Sequence, residues 1–520
     1  MLFLIQRRLN QFRKRIDHLA ATPKPPPTPR PFGLEWSQHF LPHYHTAAPS
    51  QLHRDICDDL HAFHIDRGQH RAYIAPRGSA KTTWISKQYP LWAAVEGVEP
   101  LILLLAETGE QARAYLLAIK REIEGNRRLM DAYPDSTGVG PVWRGDKITL
   151  RNGVTIIARG AGGRILGLTE SEKRPTLVIG DDMNKRGDAY SPTTRRRILD
   201  WFLRDVLNVG EPRTNFLAAG TPIHREAVVC ELKRTGAWHT RSYRSVIHWP
   251  VRIDRWDEWE QIFCDLSDPE RGEHARAFYD HFREEMDEGA EVLWPDREPL
   301  YDLMCRRAEI GPAAFDSEKQ DTPGSDGATE WPTSYFDWPG FWFDQWPDGI
   351  SHRVQSLDPS TGAGAKPGDY QPHAMIGLCR DPDNVTRLYI DADLRREDVS
   401  LMIGRSLDHA RIFKPGCLVV EDNSTMGLIV PEFEQQISTR LGTPVGVLVN
   451  LEAITNYENK QLRIRCVGGY LARKQIRVRN TPGGRLLVEQ WRDFPTGEHD
   501  DGPDAVASAV RRLEQLVAGK

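Results

Sequence analysis

The chain has no run of apolar residues long enough to span a bilayer, so no membrane-spanning helix is expected. Its seven cysteines, Cys57, Cys230, Cys264, Cys305, Cys379, Cys417 and Cys466, form no C-x-x-C pair. Neither a zinc module nor a disulfide framework is expected, and a reducing, cytoplasmic setting is. Positive charge is not in excess either: 68 Lys and Arg stand against 73 Asp and Glu, a formal net charge of −5. Any contact with nucleic acid must therefore come from local basic surface rather than from a global field. The opening Met1-Leu-Phe-Leu-Ile5 is too short for a signal sequence and runs into Arg7, Arg8, Arg13, Lys14 and Arg15. No internal repeat is present. What remains is the composition of a soluble protein, 39% apolar and 27% charged, with room in 520 residues for about two or three domains.

Against that background one loop stands out, Ala75-Pro76-Arg77-Gly78-Ser79-Ala80-Lys81-Thr82-Thr83. In a G-x-x-x-x-G-K-[ST] phosphate loop, backbone N–H groups curl around phosphates, the lysine reaches the β- and γ-phosphates, and the Ser/Thr hydroxyl binds Mg²⁺. Lys81 and Thr82 hold the last two roles, whereas Ala75 and Ala80 replace both glycines. Alanine disfavours positive φ, so the loop is expected to use mostly ordinary dihedrals. A strand before it (71–75) and a helix from Thr82 after it supply the right context, although Gly/Ser/Lys turns are common. About a hundred residues on, the β-branched run Thr176–Ile179 reads as a central parallel strand ending in Asp181 and Asp182. Asp181 is the expected Mg²⁺-side carboxylate and Asp182 the group orienting an attacking water; the plainer alternative is a capped loop.

Residues 1–35 combine a basic amphipathic helix with the proline tract Pro23–Pro31 and read as an arm. From 36 to 240, strand-like runs at 71–75, 101–106, 154–158, 176–180 and 214–219 alternate with helical stretches, the rhythm of a parallel sheet. Residues 241–315, charged and Trp-rich, suit a lid or small subdomain. A Gly/Pro/aromatic passage at 316–350 is the expected linker, its Trp331, Trp338, Trp342 and Trp346 packing between domains. From 351 to 520, strands are expected at 353–357, 374–378, 387–391, 417–421 and 445–449, with a final helix at 503–517.

Three acids in this last part stand at strand or loop ends: Asp358, Glu421, and one from His499-Asp-Asp-Gly-Pro-Asp504. Carboxylates gathered at one sheet edge are what a two-metal phosphodiesterase needs, because hard oxygen ligands hold Mg²⁺ or Mn²⁺ around the scissile phosphate. Taken singly they are equally an Asx-turn, a loop and an acidic helix N-terminus. Between them lies a basic stretch, Lys460, Arg463, Arg465, Arg473, Lys474, Arg477 and Arg479, with Tyr457 and Tyr470 near it. It is either the local candidate for phosphate-backbone contact, through Lys460, Arg463, Arg473 and Lys474, or a solvated hairpin face.

With both constellations in this order, the chain resembles the large terminase subunit of tailed bacteriophages over most of residues 45–515. The loop at 75–83 resembles the family's variant phosphate loop, with an arginine where Arg77 stands. Arg174-Pro-Thr-Leu-Val-Ile-Gly-Asp-Asp182 resembles its Walker B segment, and Asn215-Phe-Leu-Ala-Ala-Gly-Thr-Pro-Ile-His224 its coupling motif, which implies Thr221 near the γ-phosphate. The three acids resemble the family's nuclease pattern. The resemblance implies an α/β fold of two parts: a P-loop ATPase of the ASCE type on a parallel sheet, and a ribonuclease-H-like nuclease domain. It further implies ATP and Mg²⁺ (Mn²⁺ at the nuclease site), double-stranded DNA, a small terminase subunit, a portal protein and a homo-oligomeric ring in the host cytoplasm. A trans-acting arginine is implied too, for which Arg159 and Arg164 are the candidates. Asp182 departs from the pattern, many members having glutamate there. Among Asp500, Asp501 and Asp504, Asp501 is taken as the third metal ligand. The rival from another class is a DNA motor or helicase whose C-terminal half only grips its substrate.

Overall fold

Leu101–Ala106 is buried at every position, as a strand covered by helices on both faces requires. It lies near the middle of the first of two large sheets in the computed structural model, which describes residues 29–170, 172–184, 192–222, 226–322, 330–359, 369–421, 429–441, 450–456, 460–495 and 497–519. Most of the expected arm, the expected strand at 445–449, Tyr457, and Ile223 and His224 of the coupling segment fall outside these residues.

The first sheet comprises β1 (His70–Ile74), β2 (Leu101–Ala106), β3 (Val142–Trp143), β4 (Lys147–Thr149), β5 (Thr155–Gly160), β6 (Leu177–Asp181), β7 (Asn215–Gly220) and β8 (His239–Ser242). Their order is β3-β4-β5-β2-β6-β7-β1-β8. The strands from β5 to β8 pair in parallel, and β3 and β4 extend the edge antiparallel. One strand, β7, therefore separates the loop-bearing β1 from the acid-bearing β6. That insertion is the strand order of ASCE-type P-loop folds. The expected strands at 71–75, 101–106, 154–158, 176–180 and 214–219 are all present. β3, β4 and β8 were not expected, being short and largely half-exposed, with too little apolar pattern to announce them.

Phe32 is 1% exposed and lies edge-on to Tyr89. The packed chain thus begins ahead of the expected boundary at 36.

Between the sheets, the antiparallel pair β9 (Val246–His248) and β10 (Glu291–Val292) and the helices Ile253–Phe263, Arg271–Asp287, Leu300–Ile310 and Pro312–Lys319 form a small unit. Trp256, Trp259, Tyr279 and Met286 close its own core.

The second sheet holds β11 (Trp342–Phe343), β12 (Ile350–Leu357), β13 (Gln371–Arg380), β14 (Thr386–Arg395), β15 (Cys417–Glu421), β16 (Leu451–Ile454) and β17 (Ile476–Arg479), ordered β11-β17-β14-β13-β12-β15-β16. Counted from β12, its central strands run third, second, first, fourth, fifth. β13 is antiparallel to both neighbours, and β15 and β16 are parallel to β12 and to each other. This is the ribonuclease-H-like arrangement, so the expected two-part α/β fold class is borne out.

Two expectations are corrected here. The passage expected as linker supplies β11, which pairs with β17, and its tryptophans pack mainly on the second domain: Trp331 stacks on Phe494, and Trp346 meets Phe343 and Phe413. The basic stretch is no solvated hairpin, since Ile476 and Val478 bury one face of β17 while Arg477 and Arg479 take the other. The small unit meets the second domain at helix Val467–Ala472, where a Cβ on Gly469 would fall 2.6 Å from the Ala308 carbonyl oxygen; only glycine permits that approach. Among the described residues, no helix is long and apolar enough to cross a membrane.

Candidate nucleotide and metal sites

At the carboxyl end of β1 the loop turns back on itself, with Ser79 Oγ donating to the Pro76 carbonyl at 2.7 Å. Gly78 has φ +88° and Ala80 φ +60°. The expectation of ordinary dihedrals is therefore wrong at Ala80, which adopts the left-handed conformation that the missing glycine would have taken without strain. After Lys81 and Thr82 the chain is π-helical over Thr83–Gln88 and α-helical over Tyr89–Val95. Pro90 lacks an N–H and crowds the carbonyl four residues back, which the wider turn accommodates.

The parallel register brings the distant motifs onto this loop. Lys81 Nζ donates to Thr221 Oγ1 at 2.9 Å and stands 3.4 Å from Asp182 Oδ2. Asp182, at φ +42°, turns out of the strand so that its Oδ1 accepts from the Thr221 N–H at 2.9 Å. Asp181 is fully buried; its Oδ2 accepts from Ser86 Oγ at 2.9 Å, while its Oδ1 has no hydrogen-bond partner. Burial, then the neighbouring Asp182 charge, raises the Asp181 pKa, and Lys81 and the hydroxyls of Thr82 and Ser86 pull it back. A hard cation between Thr82 and Asp181 would satisfy the orphaned oxygen, so these residues fit Mg²⁺.

Other loop residues are held by neighbours. The Arg77 N–H donates to the Glu318 carbonyl at 3.1 Å and Lys319 Nζ donates to the Arg77 carbonyl at 2.6 Å, while the Arg77 side chain is exposed. His53, which the sequence did not single out, donates from Nε2 to the Ser79 carbonyl at 2.9 Å and accepts the Ser50 N–H at Nδ1. Its partners define the neutral tautomer, and burial pushes its pKa down to about 4. Ser86 was missed as well, although it lies one helical turn beyond Thr82, a spacing that would have found it. Beside the loop, Tyr44, His45, His53, Trp84, Trp294 and Arg297 line a pocket of about 190 Å³.

Of the candidate trans arginines, Arg159 is engaged by Asp146 at 2.8 Å. Arg164 is exposed in the loop after β5 and makes no ion pair among the described residues.

In the second domain β12 and β15 pair with Leu357 beside Val420, so the next residues on each strand, Asp358 and Glu421, emerge together at the carboxyl edge. Helix Asp501–Val517 is pinned there by Ser356 Oγ donating to the Ala505 carbonyl at 2.7 Å. Its first turn delivers Asp504: ligand oxygens of Asp358, Glu421 and Asp504 lie within 4.8 Å of one another. Asp501, taken from the sequence as the third member, is not in this group. One oxygen accepts from Lys460 at 3.0 Å and the other from the Tyr370 N–H at 3.1 Å, and it lies with Asp369 and His499. Residues three apart share a face of the helix but stand about 4.5 Å apart along its axis, so Asp504 reaches Asp358 and Glu421 while Asp501 meets Lys460 and Tyr370. Burial and the Asp504 charge raise the Glu421 pKa, and burial raises that of Asp504 against the pull of Arg463. Three hard carboxylates converging at a sheet edge fit divalent metal.

The four expected DNA contacts divide. Lys460 is committed to Asp500 at 2.7 Å and to Asp501. Arg463 grips Asp504, and Arg473 donates to the Ala308 carbonyl at 2.6 Å. Lys474 is exposed and, among the described residues, makes no ion pair.

No protein-family model and no curated protein sequence matches the chain. Among solved structures, the large terminase of a thermophilic bacteriophage aligns over 94% of this chain and 99% of its own, with TM-score 0.38 and 11% identity. The HK97 bacteriophage large terminase aligns over 92% and 97%, with TM-score 0.30 and 11% identity. A human cytomegalovirus terminase nuclease domain, Mn soaked and inhibitor bound, aligns over 32% and 86%, with TM-score 0.25 and 14% identity. At these TM-scores the likeness assigns neither fold nor activity. The strand orders alone define the class: an ASCE-type P-loop domain joined through a small helical unit to a ribonuclease-H-like domain.

Proposed function

We propose that the chain is the large subunit of a viral DNA-packaging terminase, an ATPase motor and metal-dependent endonuclease acting on double-stranded DNA. The observation that carries the reading is the presence, on one chain, of a phosphate loop gathered with Thr221, Asp181 and Asp182 and of a separate tri-carboxylate edge at Asp358, Glu421 and Asp504.

In the first domain the loop N–H groups and Lys81 would bind the phosphates of ATP, with Arg77 free to turn toward them. Thr82 and Asp181 would hold Mg²⁺, which neutralises phosphate charge when bound. Asp182 orients water, and Thr221, bonded to both Lys81 and Asp182, senses the state of that site. The aromatic pocket beside the loop suits a purine base. Catalysis of this kind is positioning plus electrostatics. Arg164 is the arginine available to complete a neighbouring subunit's site in a ring around DNA.

In the second domain Asp358, Glu421 and Asp504 would hold Mg²⁺ or Mn²⁺, which supplies Lewis-acid stabilisation of the scissile phosphate when bound. A small terminase subunit and a portal protein are the partners this reading implies.

The test uses supercoiled plasmid with Mn²⁺ or Mg²⁺, wild type beside Asp358→Ala, with ATP hydrolysis followed in both and in Lys81→Ala. Cutting lost in Asp358→Ala with ATPase kept, and the reverse in Lys81→Ala, is the expected pattern. Loss of both activities together in folded variants would overturn the two-site assignment.

A further inference from the structure

Arg463 occupies the carboxylate group that the nuclease reading reserves for metal. Its Nε donates to Asp504 Oδ1 at 3.0 Å and its Nη2 to Asp504 Oδ2 at 2.6 Å, and the same Nη2 lies 3.9 Å from Glu421 Oε1. Asp358 also acts on its charge. The residue is 9% exposed, so this is a buried, bidentate pair rather than a surface contact. Asp504 itself is 2% exposed.

Three carboxylates this close repel one another, and burial removes the water that would screen them. The arginine fork supplies a compensating charge within the protein, and its geometry holds Asp504 toward Glu421. A divalent cation entering the same group needs those oxygens, and it must approach a fixed positive charge that already spans two of the three acids.

We propose that Arg463 is a built-in counter-cation that competes with divalent metal for Asp504 and Glu421, keeping the acids assembled before metal arrives and lowering their affinity for it. The proposal rests on the reading of Asp358, Glu421 and Asp504 as metal ligands. Arg463 is thus a positioning residue whose fork must leave Asp504 when the site loads, which distinguishes it from the DNA-phosphate contact its place in a basic stretch suggests.

The test is Mn²⁺ binding to the full chain without nucleotide, read from the electron paramagnetic resonance signal of free Mn²⁺. Wild type is compared with Arg463→Gln and Arg463→Lys, with Asp504→Asn locating the site. The expected result is at least tenfold tighter binding in Arg463→Gln and an intermediate affinity in Arg463→Lys, a gain that loss of a merely structural arginine would not produce. Equal or weaker binding in folded Arg463→Gln overturns the proposal and leaves the metal reading standing. Absence of Mn²⁺ binding at these acids in every protein overturns both. Crystals of wild type soaked with Mn²⁺ supply a measurement that needs no variant: metal on Asp504 with the fork withdrawn supports competition, and metal on Asp504 with the fork in place refutes it.

Discussion

Asp501 and Asp504 share one helical turn and face different partners: Asp501 is bonded to Lys460 and the Tyr370 N–H, and Asp504 stands with Asp358 and Glu421. Exchanging either for asparagine therefore separates a ligand from a supporting group. Asp504→Asn is expected to lose metal-dependent plasmid cutting by more than about 100-fold. Asp501→Asn is expected to lose about 10-fold to 100-fold, the usual cost of disturbing a group behind the ligands. Cleavage rates at saturating Mn²⁺ decide it, and the opposite ranking would return Asp501 to the ligand set.

Lys81 and Thr221 meet at 2.9 Å across two strands. Lys81→Ala should cut ATP turnover by about 10²–10³-fold, the scale of removing one preorganised charge donor. Thr221→Val keeps the side-chain volume and removes the hydroxyl, so nucleotide binding should persist while turnover falls. Steady-state ATPase assays with a nucleotide-binding titration separate the two effects.

Ala80 holds φ +60° in the phosphate loop. A left-handed alanine costs about 1–2 kcal/mol that glycine does not pay. Ala80→Gly should stabilise the first domain by about 1 kcal/mol, read as a higher denaturation midpoint. A destabilised variant would mean that the Ala80 methyl contributes packing that outweighs the strain.

His53 is neutral in the fold, its pKa pushed from the usual 6.5 down to about 4, chiefly by burial. Between those values the unfolded chain binds the proton and the folded chain does not. Stability therefore falls as the pH drops from about 6.5 toward 4. Carboxylates with raised pKa, Asp181 among them, pull the other way, so the contribution is isolated by comparing wild type with His53→Gln. The variant should lose this part of the acid sensitivity in pH-dependent unfolding. Parallel profiles for the two proteins would contradict the assignment.

Lys474 is the exposed member of the basic stretch, whereas Lys460, Arg463 and Arg473 are committed to internal partners. Lys474→Ala should reduce the salt dependence of duplex binding by about one phosphate contact, without disturbing stability. Arg473→Ala, which breaks a bond to the Ala308 carbonyl, should instead loosen the packing of the small unit on the second domain. Binding isotherms at several salt concentrations, with thermal unfolding of both variants, distinguish the two roles.

Much of this was legible in the chain. The apolar runs that became β2, β6 and β15 are long or β-branched enough to announce themselves, and the residues closing them, Asp181 and Glu421, inherit their place from the strand. Lys81 and Thr82 were readable because a phosphate loop couples residue type to spacing along the chain. What the sequence determined by itself was therefore whatever depends on local periodicity and adjacency. The tertiary structure alone decided the rest. His53 reaches Ser79 from a separate helix, Ala80 takes a strained backbone because the loop must close, and β11 leaves an apparent linker because β17 offers an edge. Above all, the turning of Arg463 inward depends on a separate helix, Lys460–Arg465, docking at Asp504. The choice of Asp504 over Asp501 depends on how the helix Asp501–Val517 is rotated against β12. That rotation is set by packing across the sheet, which no local pattern encodes.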